Sequence, residues 1–238
     1  MRKVWVALAV VALAVSAGCL GAGGGGGPSD ERLAENATYE WNQTVDVHVN
    51  VTDGQYAVVA GVDNKSKVRF TRRGGFGGRN PLPISAVQFR YPNGTVVDSE
   101  DIDVSTKDAR TVVTFPQDNG TFAYTSPAGS RKATVQVGFE GSHELVLPPG
   151  MRVSFPVLGY VEPGGFEKSV EDNRVNVRWE SVDARSIDTR YYLDRDLLLF
   201  GGAAAVLGLV AVLGVVYYRL RIRRLEDERE DAGLDLEK

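Results

Sequence analysis

Leu197–Tyr218 reads LLLFGGAAAVLGLVAVLGVVYY, twenty-two residues without a charge. As one helix rising about 1.5 Å per residue it reaches roughly 33 Å, enough to cross a hydrocarbon core of about 30 Å. Such a run belongs either in a bilayer or at the centre of a large apolar core. Arg219, Arg221, Arg223 and Arg224 follow it at once, and a soluble core has no place for that block. The run therefore reads as a single transmembrane helix over 197–218. Short segments rich in Arg and Lys stay cytoplasmic, so the expected topology puts the N-terminal part outside the cell membrane and the Arg-rich tail, 219–238, inside. Tyr217 and Tyr218 suit the inner interface, where a ring sits among headgroups with its hydroxyl wet.

The N-terminus has the order of a secretory signal over 1–18. Arg2 and Lys3 precede the apolar run Val4–Val15, and the small residues Ser16, Ala17 and Gly18 lead to Cys19. Ala17-Gly18-Cys19 resembles a lipobox, which implies lipidation of the Cys19 thiol. Ordinary cleavage and an uncleaved signal anchor are the alternatives. Behind it, GAGGGGGPS has no side chains with which to build a core, so 19–40 reads as a lipidated cysteine and a flexible Gly-rich tether. Cys19 is the only cysteine, so no intramolecular disulfide and no cysteine metal site is expected.

Between tether and span, apolar residues recur at every second position. Val45, Val47, Val49 and Val51 alternate with Asp46, His48 and Asn50, and the pattern returns around Val87, Val135 and Val175. Period two is the signature of half-buried strands. Pro92-Asn93-Gly94, Asp118-Asn119-Gly120, Pro148-Pro149-Gly150 and Pro163-Gly164-Gly165 punctuate them as turns. About ten short strands with no helical period imply an all-β fold, an immunoglobulin-like β-sandwich ectodomain over 41–183. Residues 184–196 read as a stalk or helical run-in to the membrane.

Sequons begin at Asn36, Asn42, Asn50, Asn64, Asn93 and Asn119, all before the span. With nine asparagines and twenty-five Ser plus Thr in the chain, chance places roughly one asparagine in a sequon. The excess points to N-glycosylation of an exported domain.

Chemistry is sparse. The net charge of −4 gives no basis for a nucleic-acid partner. His48 shares a strand face with Asp46, but no Gly-x-Ser-x-Gly elbow supplies a nucleophile, so a solvated pair is expected. His143-Glu144 opens like a zinc-protease helix, yet Leu147 stands where the second histidine belongs. Asp98, Glu100, Asp101 and Asp103 lack the spacing of a calcium loop. No catalytic residue, metal or cofactor is expected. The most distinctive exterior segment is a basic Gly-rich loop, Arg72, Arg73, Phe76 and Arg79, a candidate contact for an envelope protein or an anionic glycan. Gly201 with Ala205, and Ala204 with Gly208, make small-xxx-small pairs that permit weak self-association of the span.

Lipobox-like leader, Gly-rich tether, sequon-laden β domain, C-terminal span and short Arg-rich tail together resemble the uncharacterised membrane-anchored surface lipoproteins of haloarchaea. The resemblance implies a place, the cell surface, and no chemistry. The expected function is a non-catalytic surface module that binds a partner or stabilises the envelope. The alternative is an accessory subunit that engages a membrane complex through the transmembrane helix. One lipid chain binds a membrane marginally whereas a spanning helix is effectively irreversible. Cys19→Ser should thus abolish lipid labelling while the protein stays in the carbonate-washed membrane fraction; release into the medium would refute the span.

Overall fold

The computed structural model describes residues 28–74 and 77–231. The leader, Cys19, the glycine run, Gly75, Phe76 and the last residues of the tail lie outside the described residues. In chain order the elements are α1 (Asp30–Leu33), β1 (Val47–Val51), β2 (Gln55–Val62), β3 (Lys67–Arg73), β4 (Arg79–Pro81), β5 (Ser85–Arg90), β6 (Val96–Val97), β7 (Asp103–Lys107) and β8 (Arg110–Thr114). Then come β9 (Gly120–Pro127), β10 (Lys132–Gln136), β11 (His143–Val146), β12 (Met151–Arg152), β13 (Tyr160–Glu162), β14 (Glu167–Glu171), β15 (Arg174–Trp179), β16 (Ser186–Arg190), β17 (Tyr192–Leu193) and α2 (Asp194–Asp231).

The alternation becomes layers. Eight strands form one sheet in the order β14-β15-β11-β1-β2-β9-β5-β6, and β4-β3-β8-β7 and β10-β16-β13 form two smaller sheets. All pairs in the large sheet are antiparallel except β1 with β11. Val49, Tyr56, Phe122 and Leu145 of the large sheet share one buried cluster with Phe70 and Val113 of the four-stranded sheet and with Val135 and Ile187 of the three-stranded one. The domain is thus a sandwich-like all-β unit, with its core between the large sheet and the two smaller ones.

The outer face of the large sheet is covered in part by the N-terminal segment. Tyr39 packs with Val59 and Ala123 in a second small cluster, and its hydroxyl donates to the Ala86 carbonyl at 2.6 Å. Gln88 Nε2 donates to the Ala37 carbonyl, and Leu33 of α1 enters the main core. The tether expected over 19–40 therefore stops short: from Asp30 onward the segment is a strap on the domain, because Leu33 and Tyr39 each bury apolar surface that a free linker would expose.

The expected stalk over 184–196 is likewise corrected. Its residues 186–190 are β16, the middle strand of the three-stranded sheet, with Ile187 and Thr189 fully buried. Tyr192–Leu193 pairs with Met151–Arg152, and α2 begins at the next residue. No spacer separates the domain from the apolar helix, which continues through the arginines to Asp231. Within it, Asp194–Leu225 is long and apolar enough to cross a membrane, with a mean hydropathy of 2.5 in its most apolar window.

Gly138, between β10 and β11, shows how closely the layers approach. A Cβ there would lie 2.6 Å from Phe70 Cε1 and 2.9 Å from Val68 Cγ2. Gly138→Ala should cost about 1–3 kcal/mol as an overpacked core, read as a lower unfolding midpoint of the detergent-solubilised chain. Gly164→Ala, where a Cβ meets nothing within 4 Å, should leave that midpoint nearly unchanged. Equal midpoints for both variants would refute the packing described.

Candidate cationic cleft

The basic loop seen in the sequence is the end of the β3–β4 hairpin. Arg73 pairs with Arg79 and Arg72 with Asn80 across the ladder, and the Gly74 N–H donates to the Gly78 carbonyl at 2.8 Å. Gly77 takes φ +78°, a left-handed conformation that glycine adopts without a steric penalty. Like charges directly opposite one another on neighbouring strands are destabilising. Arg73 and Arg79 are nonetheless placed so, and both are exposed.

The hairpin forms one wall of an open cleft of about 730 Å³. The other wall comes from the three-stranded sheet, with Lys132 at the start of β10 and Arg185 just before β16. Five cationic side chains thus line one depression: Arg72, Arg73, Arg79, Lys132 and Arg185. None of the five has a carboxylate within 4 Å among the described residues. The one carboxylate in the lining, Asp188, is already occupied. Thr134 Oγ1 donates to its Oδ1 at 2.7 Å and Ser186 Oγ to its Oδ2 at 2.8 Å. The lining thus carries an excess of positive charge on a chain whose net charge is −4. Guanidinium forks match carboxylate, sulfate and phosphate oxygens in pairs, so the chemistry on offer is anion binding. Sequence reasoning found the hairpin half of this cleft and missed Lys132 and Arg185. Both stand more than fifty residues from the loop, and only the docking of the three-stranded sheet beside β3 brings them there.

The six sequons lie elsewhere. None of their asparagines lines the cleft. Asn36, Asn42, Asn64, Asn93 and Asn119 are exposed, the last accepting the Asn64 N–H on its Oδ1. Asn50 is half-buried, its Oδ1 accepting from Arg174 at 2.5 Å.

The histidines separate. The Asp46–His48 pair expected from alternation does not form. His48 Nδ1 instead meets Glu144 Oε2 at 3.1 Å, because β11 runs parallel beside β1 and sets Glu144 opposite His48. Asp46 lies just before β1 and accepts the N–H and hydroxyl of Ser142 at 2.8 and 2.7 Å, bonds that hold its pKa below the ordinary value. His143 is buried in the sheet. Its Nδ1 donates to the Gly141 carbonyl at 2.9 Å, and Nε2 has no partner. Asp98 is absorbed locally, its Oδ1 accepting the Glu100 N–H. Among the described residues no group of three His, Cys, Asp or Glu side chains is placed to hold a metal.

Burial lowers the His143 pKa from 6.5, against the smaller opposing effects of the Gly141 bond and Asp46. The unfolded chain takes up this proton near pH 6.5 and the folded one only at lower pH. Stability is therefore retained above 6.5 and falls as pH drops through that window. The contribution of Asp46 is lost only lower down, below its ordinary 3.8. Unfolding midpoints across this range should fall on acidification for the native chain and fall less for His143→Gln. Parallel curves would refute the assignment.

A family model described as "Family of unknown function (DUF5803)" matches residues 43–237, taking in the β domain, the apolar helix and the tail. No curated protein and no solved structure matches the chain.

Proposed function

The chain belongs to the family of unknown function DUF5803, and from the geometry of its own residues we propose a non-catalytic, membrane-anchored cell-surface module whose cationic cleft holds an anionic envelope partner. The observation that carries this reading is the unneutralised set Arg72, Arg73, Arg79, Lys132 and Arg185 in one depression. Opposed arginines cost stability, and a bound anion offsets that cost. An anionic glycan of the envelope is the partner class that fits: repeated carboxylates or sulfates, presented to a wide cleft rather than a closed pocket.

Two further features support the placement at the cell surface. The Arg block after the apolar helix favours a cytoplasmic C-terminus and an exterior domain. The sequon asparagines leave the cleft clear, so sugars on the domain would not obstruct it. A second reading, an accessory subunit engaging a membrane complex, draws on α2, whose most apolar window is unburied by the chain itself.

The test is binding of fluorescein-labelled heparin, as a sulfated and carboxylated probe, to the full chain in phosphatidylcholine nanodiscs. Charge-assisted hydrogen bonds contribute about 1.5–3 kcal/mol each. Arg73→Gln with Arg79→Gln should therefore weaken binding at least about ten-fold. Added salt should weaken the native complex, and neutral dextran should not compete. Unchanged affinity in the double variant would overturn the cleft as the site.

A further inference from the structure

Just after β12 the chain makes a tight turn with an apolar tip. The N–H groups of Leu158 and Gly159 both donate to the Phe155 carbonyl, at 2.9 and 2.8 Å, and Pro156 and Val157 within the turn are exposed. Val157 is 65% exposed, more than the other exposed valines of the β domain, Val96 at 44% and Val170 at 53%. The base of the turn is fixed. A Cβ on Gly159 would lie 2.9 Å from the Arg190 carbonyl oxygen and 3.0 Å from Val153 Cα, so the turn is pressed against β16.

This tip stands beside the apolar helix. The Phe155 ring lies 5.8 Å from that of Phe200, and Phe200 is three residues past the first apolar residue of the span, Leu197. At about 1.5 Å per residue Phe200 sits roughly 4.5 Å below that boundary. Amphipathic elements that lie on membranes bury their apolar side about 5–10 Å into the headgroup boundary.

The junction leaves little freedom to swing away. β17 is paired with β12, the Asp194 N–H donates to the Gly150 carbonyl at 3.3 Å, and Arg131 bridges to Asp196 at 2.6 Å. Cations and an interfacial aromatic stand at the base of the turn. Tyr160 follows it directly and is registered against Arg190 of β16, and Lys168 Nζ donates to Ser154 Oγ at 2.8 Å. Basic side chains near a bilayer attract anionic headgroups, each contributing about 1 kcal/mol.

We propose that the turn Phe155–Leu158 inserts into outer-leaflet lipid beside α2, giving the β domain a second contact with the bilayer and fixing its orientation there. The occupant is lipid because the tip is continuous with the start of the span through Phe155 and Phe200, and because Lys168 and Arg190 at its base match phosphate headgroups. The inference rests on reading α2 as a membrane span.

The test uses the full chain in proteoliposomes of phosphatidylcholine and phosphatidylglycerol. Cys19 is the only native cysteine, so Cys19→Ser provides the background for three single-cysteine variants labelled with an environment-sensitive fluorophore. Val157→Cys probes the tip and Val206→Cys the span. Asp98→Cys, next to β6 at the edge of the large sheet opposite β14, probes water. The label at 157 should emit to the blue of that at 98 and be quenched by lipids carrying a shallow spin label. The label at 206 should be quenched by a deep one. Quenching at 206 without quenching at 157 would overturn the insertion and leave the span intact. A blue-shifted label at 157 that lipid spin labels do not quench would show protein cover instead, and would also overturn it. Absence of quenching at 206 would remove the span, and the insertion with it.

Discussion

Burial of the inner face of the eight-stranded sheet is the interaction on which the rest of the domain depends. The single cysteine of the chain rules out an intramolecular disulfide, so packing must hold the layers. It does so through a chain of rings. Phe89, Phe115, Phe122, Tyr124 and Phe70 follow one another at centroid separations of 5.2–5.8 Å, and Phe139 joins from the segment after β10. Truncating one such ring to alanine costs about 3–5 kcal/mol, a large part of the roughly 5–15 kcal/mol that holds a typical domain together. These rings come from the large and the four-stranded sheets and from the segment that leads out of the three-stranded one. The loss of any of them would loosen the three together.

The cleft is a consequence of that packing. Its walls are two small sheets laid side by side over one large one, and the groove between them exists because each is held to the shared core. The arginines of the β3–β4 hairpin would repel one another on a free hairpin. Here the strand that carries them is pinned by Val68 and Phe70, whose burial outweighs a surface repulsion of a few tenths of a kcal/mol. Charge is thereby concentrated in one depression where no carboxylate among the described residues lies within 4 Å of it, and that convergence of five cations is what marks the cleft. Asp188 is the contrasting case, a carboxylate satisfied by two neighbouring hydroxyls and so withdrawn from the arginines.

The same logic governs the join to the helix. Arg131 and Asp196 are both solvent-accessible, and an exposed ion pair contributes at most about 1 kcal/mol. The rigidity of the join comes from the backbone: β17 is a strand of the domain, and α2 starts at its next residue. Asp194 and Asp196 also sit in the first turn of the helix, where their charge complements the helix dipole. A domain joined in this way is fixed in orientation relative to the apolar helix, with no stalk between them.

Local pattern alone determined the all-β class, the alternating core strands and the apolar span, since each is written in spacings of two residues or in one uncharged run. It failed where burial or pairing comes from far along the chain. β14 is exposed at all five positions, so it has no alternation to read, and its hairpin turns on Asp172-Asn173 at φ 48° and 61°. The β7–β8 turn uses Asp108-Ala109, with an alanine in the left-handed region, which no turn signature marks. Strand β16, within the segment expected to be a stalk or helical run-in, is Ser-Ile-Asp-Thr-Arg, polar by composition, yet pairing with β10 and β13 buries its Ile187 and Thr189. The cationic cleft follows the same rule. The sequence placed Arg72, Arg73 and Arg79 together because one hairpin holds them. Lys132 and Arg185 joined them only through tertiary packing, because proximity across separate sheets is set by a shared core and leaves no trace in local spacing.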